Sequence, residues 1–181
     1  MIFFTSDQHF YHKNIIRYTG RPFSSVAEMN ETLIQNHNSV VEQNDDVYFF
    51  GDFAFCSLEW QRGILSKLNG KKYLFLGNHD RSESAMRSLG FADVFHSKDM
   101  SFGGKVFRMS HYPFIPSNPG PYDTKYLDRR PSREGCDWLL CGHVHEKWKI
   151  LENQINVGVD VWDFKPISID TILEITSQFG E

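Results

Sequence analysis

Short apolar runs recur through the first half of the chain, and each stops at a polar residue or a glycine. Ile2-Phe3-Phe4-Thr5-Ser6 runs into Asp7-Gln8-His9, and Val47-Tyr48-Phe49-Phe50 runs into Gly51-Asp52. Tyr73-Leu74-Phe75-Leu76 runs into Gly77-Asn78-His79-Asp80. Runs of this length, bounded by turn residues, predict buried strands. Helical patterns fill the gaps, over residues 11–19, 25–41, 57–68 and 82–89. The second is the clearest, because Ser25 with Glu28 forms a capping box and Val26, Met29, Leu33, Val40 and Val41 supply an apolar face. Asn44-Asp45-Asp46, Asn69-Gly70 and Gly90 read as stop signals. Strand and helix alternate, which predicts a largely parallel sheet.

The second half is richer in strands. Residues 100–102 and 106–109 flank Gly103-Gly104 as a hairpin, and residues 147–151 and 155–157 flank Glu152-Asn153-Gln154 as another. Val106-Phe107-Arg108-Met109-Ser110 ends on His111, and Trp138-Leu139-Leu140-Cys141 ends on Gly142-His143-Val144-His145. Together the halves predict two sheets packed face to face, with helices outside. Residues 112–135 break the pattern and hold five of the seven prolines. Such a segment reads either as a solvated surface loop or as a functional one. It carries Lys125, Arg129, Arg130 and Arg133 among Asp123, Asp128 and Glu134. Arg129 and Arg130 are candidate contacts to an anionic substrate, since planar guanidinium forks match phosphate oxygens.

Composition narrows the classes. A chain of 181 residues fits one domain spanning 1–181 with an insert loop at 112–135. The formal charge of −4 argues against a generic polyanion-binding surface while leaving room for a local basic patch, and no obligate nucleic-acid binding is evident. No run approaches the roughly 18 apolar residues of a membrane span. The N-terminus enters a strand at once, without a secretory pattern. Cys56, Cys136 and Cys141 are odd in number and lack zinc-like spacing. A cytoplasmic setting is expected, with the thiols as small buried fillers.

Five strand-like runs thus end on metal-ligand residue types. Asp, Asn and His donors without thiolates suit Mn, Fe or Zn rather than a sulfur site. Asp7 with His9, and His143 with His145, point to common sides if extended. The donors outnumber what one four-coordinate ion needs. Two ions roughly 3.5–4 Å apart and bridged by a carboxylate would use them all, and Asp52 is the candidate bridge.

The series Asp7-x-His9, Gly51-Asp52, Gly77-Asn78-His79-Asp80, His111 and Gly142-His143-Val144-His145 resembles the calcineurin-like metallophosphoesterases, over Met1 to about Val161. The stretch from Asp7 to Ile16 looks like a subgroup of small bacterial and phage phosphoesterases. The resemblance implies a four-layer α/β/β/α sandwich of two mixed sheets with outer helices. It implies one ion on Asp7, His9, Asp52 and His145, and a second on Asp52, Asn78, His111 and His143. A hydroxide between them would be the nucleophile. His79 would stabilise the phosphoryl oxygens or protonate the leaving group. The chain departs from protein Ser/Thr phosphatases, which continue Val-Asp-Arg-Gly after Gly-Asp; here Phe53-Ala54-Phe55-Cys56 follows. It is also shorter than the nuclease members, which add a capping domain.

Other polar residues have ordinary readings beside the functional ones. Asp80 either supports His79 or caps the helix that starts near Ser82. His12 either touches substrate or lies exposed on a first helical turn. His37 and His96 read as surface residues. Asn156-Val157-Gly158-Val159-Asp160 either closes around the metal site or forms a sheet-edge turn. The resulting expectation is a binuclear metal-dependent phosphoesterase, preferentially a phosphodiesterase, acting on a phosphorylated small molecule or nucleotide-like substrate. Mn is the first choice of ion, with Fe, Zn and Ni also suited. A phosphomonoesterase or nucleotide pyrophosphohydrolase is the enzymatic alternative, and a protein-interaction scaffold on the same fold is the non-enzymatic one.

Overall fold

Each apolar run of the first half becomes a strand, and each strand is followed by a turn whose polar residues meet at one edge. The computed structural model describes residues 1–120 and 125–179. Strands β1 (Ile2–Thr5), β2 (Asp46–Phe49), β3 (Lys71–Phe75) and β4 (Asp93–Phe95) pair in parallel. The short β10 (Ile167–Ser168) closes this sheet antiparallel to β1, giving the order β10-β1-β2-β3-β4. A second sheet holds β5 (Ser97–Phe102), β6 (Lys105–Ser110), β7 (Trp138–Cys141), β9 (Gln154–Asn156) and β8 (Ile150–Leu151) in that spatial order. Within it the β6–β7 and β7–β9 pairs are parallel and both hairpin pairs antiparallel. The predicted α/β sandwich of two mixed sheets is therefore observed.

Two cores hold the layers together. Phe4, Tyr48, Phe50 and Phe75 from the first sheet meet Phe107, Met109, Leu140 and Ile155 from the second. On the other face of the first sheet, Phe3, Val47, Phe49 and Leu74 pack under the helices. These are α1 (Lys13–Tyr18), α2 (Val26–Asn38), α3 (Leu58–Leu65) and α4 (Glu83–Leu89). Alternating residues of one strand thus serve two cores, as a pleat requires. The helix starts are local chemistry: Ser25, Ser57 and Ser82 each accept a backbone N–H three residues on. Glu28 does not complete the box on Ser25 but accepts from Ser24 N (2.8 Å). A final helix, α5 (Ile169–Ser177), places Ile172 in the core between the sheets.

His37 overturns its expected surface placement. It follows Leu33 by four residues on the buried face of α2, is 4% exposed, and its Nε2–H donates to the Asn69 carbonyl (3.0 Å). Burial pulls its pKa down to about 4, against the opposing hydrogen bond to Asn69. The unfolded chain therefore binds a proton below about pH 6.5 that the native state refuses until about pH 4. Stability from this group is full above pH 6.5 and is lost as pH falls through that window, by about 3 kcal/mol in total at roughly 1.4 kcal/mol per unit. Urea midpoints at pH 7 and pH 4.5 should converge in His37→Gln relative to wild type. An unchanged gap would sink this assignment.

Candidate metal centre

The turns after β1, β2, β3, β6 and β7 bring Asp7, His9, Asp52, Asn78, His79, His111, His143 and His145 to one edge of the sandwich. The backbone is bent sharply to do so. Asp7, His9, Tyr11, Asp52, His143 and His145 all have positive φ, between 51° and 71°. Non-glycine residues rarely adopt this region, and such strain at roughly 1–3 kcal/mol per residue concentrates at functional sites. Glycines let the turns touch. A Cβ on Gly77 would collide with Asp52 Oδ1 and stand 2.6 Å from its amide nitrogen, and one on Gly142 would lie 2.5 Å from Asp7 Oδ2.

The side chains form two clusters that meet at Asp7 and Asp52. Asp52 Oδ2 lies 3.5 Å from His9 Nε2, and its Oδ1 lies 3.8 Å from His111 Nε2. On the first side, Asp7 Oδ1 is 4.0 Å from both His9 Nε2 and His145 Nε2. On the second, His111 Nε2 is 3.1 Å from Asn78 Oδ1 and 3.2 Å from His143 Nδ1. The tautomers follow from the opposite ring nitrogens. His111 Nδ1–H donates to the Phe50 carbonyl (2.5 Å) and His145 Nδ1–H to Asp160 Oδ2 (3.2 Å), which turns both Nε2 lone pairs inward.

These residues fit a cation. Asp7 Oδ1 and His9 Nε2 are buried without a hydrogen-bond partner, a cost that a metal ion would remove. Ligand atoms of Asp7, His9 and His145 lie within 4.8 Å of one another, as do those of Asp7, Asp52 and His111. The donors are oxygen and imidazole nitrogen. The three cysteines form no disulfide, and Cys141 is buried against Phe114 and Leu139. Burial pushes the Asp7 carboxyl up, and burial with the neighbouring His145 holds His9 well below the ordinary imidazole value. Burial and His111 take His143 down to about 2. His9 and His143 are thus held as neutral imidazoles, the form in which histidine ligates a metal, whereas against the pull of burial Asp7 and Asp160 hold His145 up.

A residue that sequence reading passed over holds the first cluster in place, through one that it had named. Arg21, between the first two predicted helices, is buried and grips Asp160 through Nε (2.7 Å) and Nη2 (2.9 Å). It also donates to the carbonyls of Asp7 (2.7 Å) and Gln8 (2.9 Å). Asp160 in turn orients His145, and Asn156 Nδ2 donates to the His145 carbonyl (2.7 Å). The 156–160 segment thus closes around the site. Asp160→Asn should weaken divalent metal binding by about 10–100-fold, the scale of losing a ligand's orienting partner. Competition against a chelator measures this, and unchanged affinity would refute it.

Asp80 corrects both expectations for it. Its carboxylate neither supports His79 nor caps α4. It accepts N–H bonds from Asp52 (3.0 Å), Phe53 (3.0 Å) and Gly77 (2.9 Å), clamping two turns together. Burial and the Asp52 charge push it up to about 6. His79 donates its backbone N–H to Asp52 Oδ1 (2.9 Å), while its ring is exposed 4.8 Å from Phe55. His12 is half-buried, stacked on Phe55 at 4.0 Å, with Nδ1 3.2 Å from His9 Nδ1. His96 is exposed.

Arg129 donates to the Tyr112 hydroxyl (3.1 Å), and Arg130 to the carbonyls of Lys125 and Pro113 (3.0 Å each). Both line a cleft beside Asn78. Arg133 instead ties Glu152 and the Ile115 carbonyl together. Asp123 lies outside the described residues.

No protein-family model matches the chain. The uncharacterised protein MJ1445 of Methanocaldococcus jannaschii is 34% identical over 183 residues, covering 96% of this chain and 90% of that protein. The gene 66 protein of Mycobacterium phage L5 is 28% identical, over 98% of this chain and 95% of its own length. Among solved structures, the protein of unknown function AQ665 from Aquifex aeolicus superposes with a TM-score of 0.79. It is 29% identical, covering 97% of this chain and 98% of that one. An archaeal phosphodiesterase superposes with a TM-score of 0.44 at 16% identity, over 87% and 81% of the two chains. Among the described residues, no helix is long and apolar enough to cross a membrane.

Proposed function

The chain belongs to one family with the MJ1445 protein, and we propose that it is a binuclear metal-dependent phosphoesterase of the calcineurin-like kind, spanning 1–181. The observation that carries this reading is the division of Asp52, whose two oxygens face two separate groups of inward lone pairs. Asp7, His9, Asp52 and His145 would hold one ion, and Asp52, Asn78, His111 and His143 the other. Divalent ions held there would supply a nucleophile from water near neutral pH and neutralise charge on the phosphoryl oxygens. Mn is the preferred ion and Fe, Zn or Ni would also suit the donors. In the hydrolysis, water adds to phosphorus, the P–O bond to the leaving group breaks, and the leaving oxygen takes up a proton. His79 is the residue to deliver that proton or to hydrogen-bond the phosphoryl oxygens, because its backbone is pinned to Asp52 while its imidazole stays exposed. His12, Arg129 and Arg130 would contact the substrate, a phosphorylated small molecule or nucleotide-like ester. Three free cysteines favour a reducing, cytoplasmic setting.

The test is to strip metal, reload with Mn²⁺, and compare a chromogenic phosphodiester with its monoester. Faster turnover of the diester is the expected result. No turnover of either, with two equivalents of metal bound, would overturn the reading.

A further inference from the structure

A cleft of about 650 Å³ opens beside Asn78, a volume within the roughly 300–1,000 Å³ of small-molecule sites. Asn78 and Arg81 line it from the turn after β3, and Tyr112, Arg129 and Arg130 line it from the 112–135 segment. Three arginines thus line a cleft that borders the second cluster, in a chain whose net charge is −4. Two of the three are held in place by named partners. Arg129 donates to the Tyr112 hydroxyl (3.1 Å), and the Tyr112 ring packs against His111 (centroids 4.9 Å) and His143 (5.3 Å). Arg130 is fixed by the carbonyls of Lys125 and Pro113.

Three carboxylates also line the cleft: Asp80, Glu83 and Asp128. Asp80 is turned to the amides of Asp52, Phe53 and Gly77. Glu83 is bound by Arg87 (2.9 Å) and lies 3.8 Å from His96. Asp128 remains among the arginines, and three arginines set against that one carboxylate leave the cleft a cationic balance. A simple phosphodiester carries one negative charge, which the centre itself would meet. A second phosphate adds about 1.5 to 2 more, with oxygens that planar guanidinium groups bind in pairs.

Resting on the phosphoesterase reading, we propose that the cleft binds a second phosphate group of the substrate, so that the preferred substrate is a nucleotide-like phosphodiester bearing a further phosphate. The matched probes are the p-nitrophenyl ester of thymidine 5′-phosphate and the same ester carrying a 3′-phosphate. The Mn-loaded wild type should favour the 3′-phosphorylated ester by about tenfold or more in kcat/KM, the scale of a charge-assisted contact. Arg81→Ala and Arg129→Ala should each shrink that ratio severalfold, as should 0.5 M salt.

Equal kcat/KM for the two esters in the wild type would overturn the subsite while leaving the phosphoesterase intact. Turnover of neither ester would count against the phosphoesterase, and calorimetry would then decide the subsite separately. Thymidine 3′,5′-bisphosphate binding about tenfold more tightly than thymidine 5′-phosphate, with the gain lost in the arginine variants, would uphold it. Equal binding would overturn it.

Discussion

Asp52→Asn is expected to lower metal content from two equivalents and to cut turnover by about 10³-fold, the upper end for losing one electrostatic stabiliser at a reacting centre. The substitution is nearly isosteric, so its effect isolates charge. Asparagine keeps an oxygen to accept the His79 N–H, now held at 2.9 Å. Its amide would replace the oxygen 3.5 Å from His9 Nε2, offering that lone pair a hydrogen bond instead of a shared cation. The metal-free variant should be as stable as wild type or more so, because Asp52 contributes to the raised pKa of both Asp7 and Asp80. Removing its charge relieves that repulsion, the usual opposition between a strained site and stability. Elemental analysis after dialysis and a thermal melt without metal give the two readings. A variant that keeps two equivalents and full turnover would rule out Asp52 as the shared ligand.

The strands and their polar ends were legible because both are local properties. An apolar run that stops at Gly-Asp or Gly-Asn-His-Asp carries its burial and its turn in adjacent residues, and Ser25, Ser57 and Ser82 announce helix starts by bonds that reach only three residues. The features missed depend on distant partners. β4 is three residues long and exists because Tyr73–Phe75 offers it an edge. The two-residue β10 depends in the same way on β1. Arg21 and Asp160 are 139 positions apart, and nothing near either names the other. Asp80 lies within capping distance of α4, yet Ser82 takes that role and frees the carboxylate for amides 27 and 28 residues away. His37 is different, because its signal was present. Its spacing from Leu33 places it on the buried stripe, and residue type outweighed period in the surface reading.

His79→Ala should leave metal content unchanged and lower turnover by about 10²–10⁴-fold, the range for a positioned proton donor or acceptor. The separation is possible because the residue's two parts do different things. The backbone N–H secures Asp52 and survives in alanine, whereas the imidazole makes its described contacts only with rings, 4.8 Å from Phe55 and 5.7 Å from His9. A merely structural histidine would therefore show its loss in metal affinity or melting temperature, and neither should move. The size of the rate loss should also depend on the leaving group. If the imidazole delivers a proton, an alkyl ester will lose far more than a p-nitrophenyl ester, whose departing phenolate scarcely needs one. If it hydrogen-bonds the phosphoryl oxygens instead, both esters will lose equally. An unchanged kcat on the alkyl ester would exclude both roles and leave Asp52 and its neighbours to act without His79.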